Sequence, residues 1–164
     1  MTGTGPESTA RAWEIETRSP VDTQEAAQRL AARLGPGDVL LLFGEMGAGK
    51  TCFVQGLAEG LGLDPRRVHS PSFIMVKRYG NGTGLNHVDL YRLEPGESFA
   101  DLGLDDLFTS RDITAIEWAE RLPDESLPLP RWEIRFEHAG DSRRRLSFRR
   151  LDRPTRGEAP TVGA

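Results

Sequence analysis

Apolar and polar positions change period several times along the 164 residues, and each change marks an element. Residues 12–17 alternate, with Trp13 and Ile15 set against Glu14 and Glu16, as a half-buried strand does. Helical spacing over residues 22–34 predicts a helix with Ala26, Leu30, Ala31 and Leu34 on one face, stopped by Gly35-Pro36-Gly37. Residues 38–43 become continuously apolar after Asp38 and predict a buried strand. Helical spacing returns over 51–62 through Phe53, Leu57 and Leu61. Strand character over 68–79 is broken by Pro71, and the Gly-rich stretch 79–84 predicts a hairpin turn into a returning strand over 85–90. Residues 94–108 predict one or two short helices anchored by Phe99, Leu102, Leu104, Leu107 and Phe108. A short buried strand over 113–116 and a late antiparallel pair, 132–136 with 145–148, complete the order. No internal repeat is visible. The whole reads as an α/β fold: a mixed sheet flanked by helices, with antiparallel strands in the second half.

Between the strand at 38–43 and the helix at 51–62 stands Gly44-Glu45-Met46-Gly47-Ala48-Gly49-Lys50-Thr51. It matches the phosphate-binding loop G-x-x-x-x-G-K-[ST] at every required position. Glycines let such a backbone turn tightly and aim N–H groups into one concavity at a helix start, where an anionic phosphate chain can sit. Lys50 is expected along the β- and γ-phosphates, as a binding and catalytic cation, and the Thr51 hydroxyl on Mg²⁺. Strand, loop, helix is the order this mechanism requires, and it makes the fold P-loop NTPase-like.

Composition narrows the class further. Net charge is −4, so no global positive field draws the chain to nucleic acid. The single cysteine excludes an internal disulfide and a multi-cysteine metal cluster, and suits a reducing cytoplasm. No apolar run is long enough to span a bilayer, and no signal peptide is visible. Arginine supplies nearly all the basic residues; lysine occurs only at 50 and 77, and one of the two is the loop lysine. Residues 1–10 and 153–164, small, polar and rich in Gly, Thr, Pro and Ala, predict a disordered leader and tail around one P-loop domain over 11–152.

A phosphate loop needs a carboxylate to complete the metal shell and a group to polarise the attacking oxygen. Glu117 follows the apolar run 113–116, so it should emerge at a strand's carboxyl end, where α/β sheets bind ligands. Asp89 also ends a short strand, and its chemistry alone fits an N-cap or surface acid equally well. Ser70-Pro71-Ser72-Phe73 lies where a γ-phosphate-sensing segment would, and reads equally as a plain turn. Cys52, in the first turn of the loop helix, reads as a small packed residue before a thiolate. His87 reads as structural before general base. The run Arg143-Arg144-Arg145 with Arg149-Arg150 should divide between strand faces and form a solvated edge that deters aggregation.

In order and spacing, four motifs together resemble the TsaE (YjeE) family, the bacterial ATPase of tRNA threonylcarbamoyladenosine biosynthesis. They are the loop 44–51, Ser70-Pro71-Ser72-Phe73, His87-Val88-Asp89-Leu90-Tyr91-Arg92-Leu93 and Ile116-Glu117-Trp118-Ala119-Glu120. The resemblance covers about residues 20–150. It implies ATP and Mg²⁺ as ligands, Thr51 and Glu117 on the metal, Asp89 as the catalytic acid, and Ser70 and Ser72 in a switch-like segment. It also implies Thr23 near the nucleotide base, a basic position within 143–145 (Arg144), and Cys52 and Trp118 beside the nucleotide. The implied partners are a threonylcarbamoyl transferase and its non-catalytic homologue (TsaD and TsaB type), which modify adenosine 37 of tRNAs reading A-starting codons. tRNA itself is met only indirectly.

The chain departs from the pattern at Glu45, Cys52, Ser72 and Ala119, and Cys52 is the change that could alter nucleotide contacts. Against a GTPase stands the absence of an N/T-K-x-D guanine-reading motif. Against a small-molecule kinase stands the acidic segment 94–110, which carries no arginine for a lid. A nucleotide-dependent interaction module with negligible turnover of its own is the nearest non-enzyme alternative.

Overall fold

Leucine-rich and alternating runs assemble into one sheet, described by a computed structural model for residues 11–70, 75–98, 100–109 and 111–152. The predicted leader and tail, Ser72 with its neighbours at 71–74, and Phe99 lie outside the described residues. The strands are β1 (Ala12–Thr17), β2 (Val39–Phe43), β3 (Val76–Tyr79), β4 (Leu85–Asp89), β5 (Ile113–Glu117), β6 (Arg131–His138) and β7 (Arg144–Leu151). The helices are α1 (Pro20–Ala31), α2 (Lys50–Gly60) and the single turn α3 (Asp106–Thr109). The seven strands lie in the order β1-β7-β6-β2-β5-β4-β3. β6, β2, β5 and β4 run parallel, while β7, β1 and β3 add antiparallel to the two sides. β2 lies at the centre and is covered on both faces, which explains its unbroken apolar sequence. Among the described residues no helix is long and apolar enough to cross a membrane.

α1 begins two residues before the sequence reading placed it. The Ser19 hydroxyl accepts from the Asp22 N–H at 3.1 Å, the Asp22 carboxylate accepts from the Arg18 N–H at 2.8 Å, and Pro20 takes the first helical position. Its buried stripe is Thr23, Ala27, Leu30 and Ala31; of the predicted face Leu30 and Ala31 are buried, while Ala26 and Leu34 are only half-buried. α1 packs on α2 at backbone distance: a Cβ at Gly56 would stand 2.4 Å from the Gln24 carbonyl oxygen. Alanine there would therefore push the two helices apart.

The sheet separates two apolar layers. Leu40, Leu42, Leu85, Ile113, Ala115 and Ile134 face α1 and α2 with Phe53, Val54 and Leu57. Val39, Leu41, Val88 and Ile116 face the other way, toward Leu90, Leu93, Ala119 and Leu122 and the half-buried Leu102, Leu104, Leu107 and Phe108. Strand residues alternate between faces, so these assignments decide where each polar strand residue points.

Two expectations are corrected. Among the described residues of the predicted 68–79, β3 covers Val76–Tyr79; buried Val68 joins the core from a 3₁₀ turn after α2. β7 is not an edge strand, since it is held between β1 and β6. Its arginines sit against acids and aromatics instead: Arg145 stands opposite Glu16 and Glu137, and Arg150 lies 5.4 Å from the Trp132 ring and pairs with Asp152.

Candidate functional site

Parity along β4 and β5 builds the site. Leu85 and Ile113 face α1 and α2, so His87, Asp89 and Glu117, an even number of residues further on, face the same side. Glu117 and Asp89 are register partners at the carboxyl ends of their strands. The loop between β2 and α2 lies over these ends. It closes on Gly49, whose φ of 104° is left-handed backbone open to glycine at little cost, and Lys50 then starts α2.

Lys50 is 4% exposed. Its ammonium donates to the Gly44 carbonyl and, at 3.4 Å, to the Glu45 carbonyl, and lies 3.5 Å from the centre of the Trp118 ring. Burial pushes its pKa below the ordinary lysine value, only partly opposed by the attraction of Glu120, Glu117 and Asp89. At the next residue, the Thr51 hydroxyl donates to Glu117 Oε1 at 2.8 Å, and the same oxygen lies 2.8 Å from His87 Nε2. Asp89 is held at both oxygens, by the Ser70 hydroxyl at 2.7 Å and the Tyr91 N–H at 2.9 Å.

These groups line a cleft of about 510 Å³ with Met46, Gly47, Gly49, Cys52, Tyr91 and Arg92. A second hollow of about 250 Å³ on the other side of the loop shares Gly47, Gly49 and Cys52 and adds Ser19, Pro20, Thr23, Asp141, Ser142 and Arg144. Loop amides, a helix start and a buried ammonium can together hold a chain of anionic groups. The Thr51 hydroxyl and Glu117 carboxylate are hard oxygen donors side by side, a set that suits Mg²⁺. Among the described residues no cluster of His, Cys, Asp and Glu could hold a metal alone, so a cation at this pair would draw its other ligands from a bound anion and water.

The structure thus brings Lys50, Thr51, Asp89, Glu117, Trp118 and Ser70 to one cleft, and Thr23 and Arg144 to the adjoining hollow. Arg144 is the arginine of its run that reaches the loop, donating to the Gly47 carbonyl at 3.3 Å. Thr23 is buried, its hydroxyl 2.9 Å from that of Thr17. Ala48 is buried behind the loop, and neither it nor Gly44 nor Glu45 lines the cleft. Cys52 is a packed residue: burial raises its pKa, and its thiol donates to the Pro20 carbonyl at 3.4 Å. Sequence reasoning assigned no site role to Tyr91 and Arg92, although they lie two and three residues after Asp89, and it set His87 aside.

Trp118 has φ 58° and ψ 39°, the only non-glycine residue with positive φ among those described. Such backbone costs a large residue on the order of 1 kcal/mol or more, and here it accompanies an indole set between the Lys50 ammonium and the Tyr91 ring, whose centre is 5.1 Å away. Any ligand that draws Lys50 from the indole must change the indole's surroundings. Trp118 fluorescence is therefore expected to differ between bound ADP and a non-hydrolysable ATP analogue. Trp13 and Trp132, edge to face at 5.7 Å at the far end of the sheet, supply a constant background. A signal surviving in Trp118→Phe would show that the reporter lies elsewhere.

The sequence model of the family described as Threonylcarbamoyl adenosine biosynthesis protein TsaE matches residues 17–146. A tRNA threonylcarbamoyladenosine biosynthesis protein TsaE of Bacillus subtilis is 44% identical over 133 residues, 80% of this chain and 82% of its own. The protein of that name from Streptomyces coelicolor is 40% identical over 124 residues, 73% of this chain and 82% of its own. The crystal structure of Bacillus subtilis YdiB superposes with a TM-score of 0.72 at 36% identity, over 88% of each chain. With the family match spanning the loop, both strand-end carboxylates and Arg144, the chain belongs to the TsaE family.

Proposed function

We propose that this chain is a cytoplasmic ATPase that hydrolyses ATP to support the threonylcarbamoyl transferase complex acting on adenosine 37 of tRNA. Family membership brings the role in tRNA threonylcarbamoyladenosine biosynthesis. The hydrolytic reading rests on one observation: a loop lysine, a loop threonine and two strand-end carboxylates converge on one cleft.

In this reading the loop amides and Lys50 bind the β- and γ-phosphates, and Thr23 and Arg144 lie toward the nucleoside. Mg²⁺, held through the Thr51 hydroxyl and Glu117, would neutralise charge on the phosphate oxygens. Asp89 orients a water and accepts its proton as the water oxygen bonds to the γ-phosphorus. The bond from that phosphorus to the bridging oxygen breaks, ADP leaves, and the proton passes on to phosphate. Ser70 ties Asp89 to the segment holding Ser72, so γ-phosphate contact and catalytic geometry would be coupled.

The partners are a TsaD-type transferase and its TsaB-type homologue, and tRNA is engaged through them. The arginines nearest to an RNA-binding run are dispersed: Arg143 lies 3.9 Å from Glu16, Arg144 faces the loop, and Arg145 lies 3.9 Å from Glu137. With so little free positive charge, tRNA binding by the chain alone should be no tighter than about micromolar at physiological salt. ATP turnover measured with and without the two partners tests the proposal: slow turnover alone and a clear rise in the complex are expected. No turnover in either setting would refute the ATPase reading. Nanomolar tRNA binding, lost on replacing Arg143, Arg144 and Arg145 by Ala, would refute indirect engagement.

A further inference from the structure

His87 is the most buried titratable side chain of the site, with no exposed surface, and the hydrolytic scheme leaves it unused. Its Nε2 lies 2.8 Å from Glu117 Oε1, while its Nδ1 is buried with no hydrogen-bond partner among the described residues. A carboxylate only accepts, so Nε2 carries a proton toward Glu117 and Nδ1 is left buried and unpaired. Leaving a buried polar atom unpaired costs about 1–3 kcal/mol, and an apolar residue of similar shape would avoid that cost. Packing therefore does not account for a histidine here. The hydrogen bond to Glu117 does.

We infer that His87 is a positioning residue that fixes the Glu117 carboxylate for the divalent cation, an inference that rests on the ATP–Mg²⁺ reading. Glu117 Oε1 accepts from two donors on opposite elements, Thr51 on α2 and His87 on β4. With both bonds in place the carboxylate cannot turn about its own axis. The Thr51 proton is committed to Glu117, which leaves the lone pairs of that hydroxyl for a cation. Donors that grip a ligating carboxylate from behind orient it, and their loss costs typically 10–100-fold in metal affinity. Register makes the placement obligatory: His87 pairs with Ala115, so its side chain reaches diagonally to Glu117 two residues along β5.

The test compares His87→Phe, which removes the donor and keeps the bulk, with His87→Gln, whose amide can present an N–H near the Nε2 position. Binding of a non-hydrolysable ATP analogue is followed by calorimetry against Mg²⁺ concentration, with Glu117→Gln as reference. His87→Phe should raise the Mg²⁺ needed for half-maximal binding about 10–100-fold, in the direction of Glu117→Gln, and His87→Gln should recover most of the loss. Analogue affinity in EDTA and the melting temperature of His87→Phe should stay near wild type. His87→Met, which also lacks a donor, replaces His87→Phe if that variant does not fold. A wild-type Mg²⁺ requirement in His87→Phe overturns the inference while leaving the ATP–Mg²⁺ reading in place. So does a loss in Phe and Gln variants alike that follows a fall in melting temperature, since it would make His87 a core residue only. Analogue binding by the unaltered chain that ignores Mg²⁺ altogether would overturn the ATP–Mg²⁺ reading and this inference with it.

Discussion

Lys50→Ala is expected to abolish nearly all ATP turnover and to weaken triphosphate binding by about 100-fold, the scale of lost charge-assisted hydrogen bonds to phosphate. Turnover should fall a further 10²–10³-fold, the usual effect of deleting a preorganised electrostatic donor from a reacting centre. The fold should survive. Burial already disfavours the charged ammonium, so its removal relieves a desolvation cost even as it forfeits the bonds to Gly44 and Glu45. Lys77→Ala is the matched control. Lys77 lies 5.2 Å from the Tyr79 ring on β3 and lines a separate groove, so its loss should leave nucleotide binding unchanged. Calorimetry with an ATP analogue decides the matter, and a Lys50→Ala affinity equal to that of Lys77→Ala would remove Lys50 from the phosphate site.

What could be read in the sequence, and what could not, follows from the range of the interactions involved. The phosphate loop is written in eight consecutive residues, and its flanking strand and helix follow from local periodicity. Glu117 was legible because an apolar run ends on it. α1 was misplaced at its start because helical spacing marks only the residues from about 22 on, whereas proline is tolerated at the first helical position and Ser19 caps it. The segment 94–108 carries helical anchors, but Gly96 and Gly103 both have positive φ, and among its described residues the chain makes isolated turns until the short helix at Asp106–Thr109. β7 shows the limit most plainly. Leu146 and Phe148 inward with Arg145 and Arg149 outward is the pattern of an edge strand and of an inner strand with acidic neighbours, and only strand order separates them.

His87 stands between these cases. Alternation along β4 places it on the face of Asp89, two residues away, and that much is local. Its partner Glu117 is thirty residues distant, and the hydrogen bond exists because β4 and β5 are parallel neighbours in one register. The two strand-end carboxylates differ in their partners in the same way. Glu117 is engaged by a loop hydroxyl and a buried imidazole. Asp89 is engaged by a backbone N–H and by Ser70, which leads into the segment at 71–74.

Asp89→Asn is expected to leave ATP binding nearly intact and to lower turnover by about 10²–10⁴-fold, the contribution of a positioned general base. The amide fits the existing bonds. Its oxygen can keep the Tyr91 N–H, and its NH₂ can donate to the Ser70 hydroxyl, which is able to accept. Nothing in the fold or the phosphate cradle then has to move, and what is lost is the capacity to take a proton from water. Asp89→Ala would blur the result, because it leaves the Tyr91 N–H without its acceptor. Binding and single-turnover hydrolysis measured on Asp89→Asn separate the roles. If binding collapsed while bound ATP still turned over at the wild-type rate, Asp89 would belong to nucleotide binding, and the base would have to be sought elsewhere in the cleft.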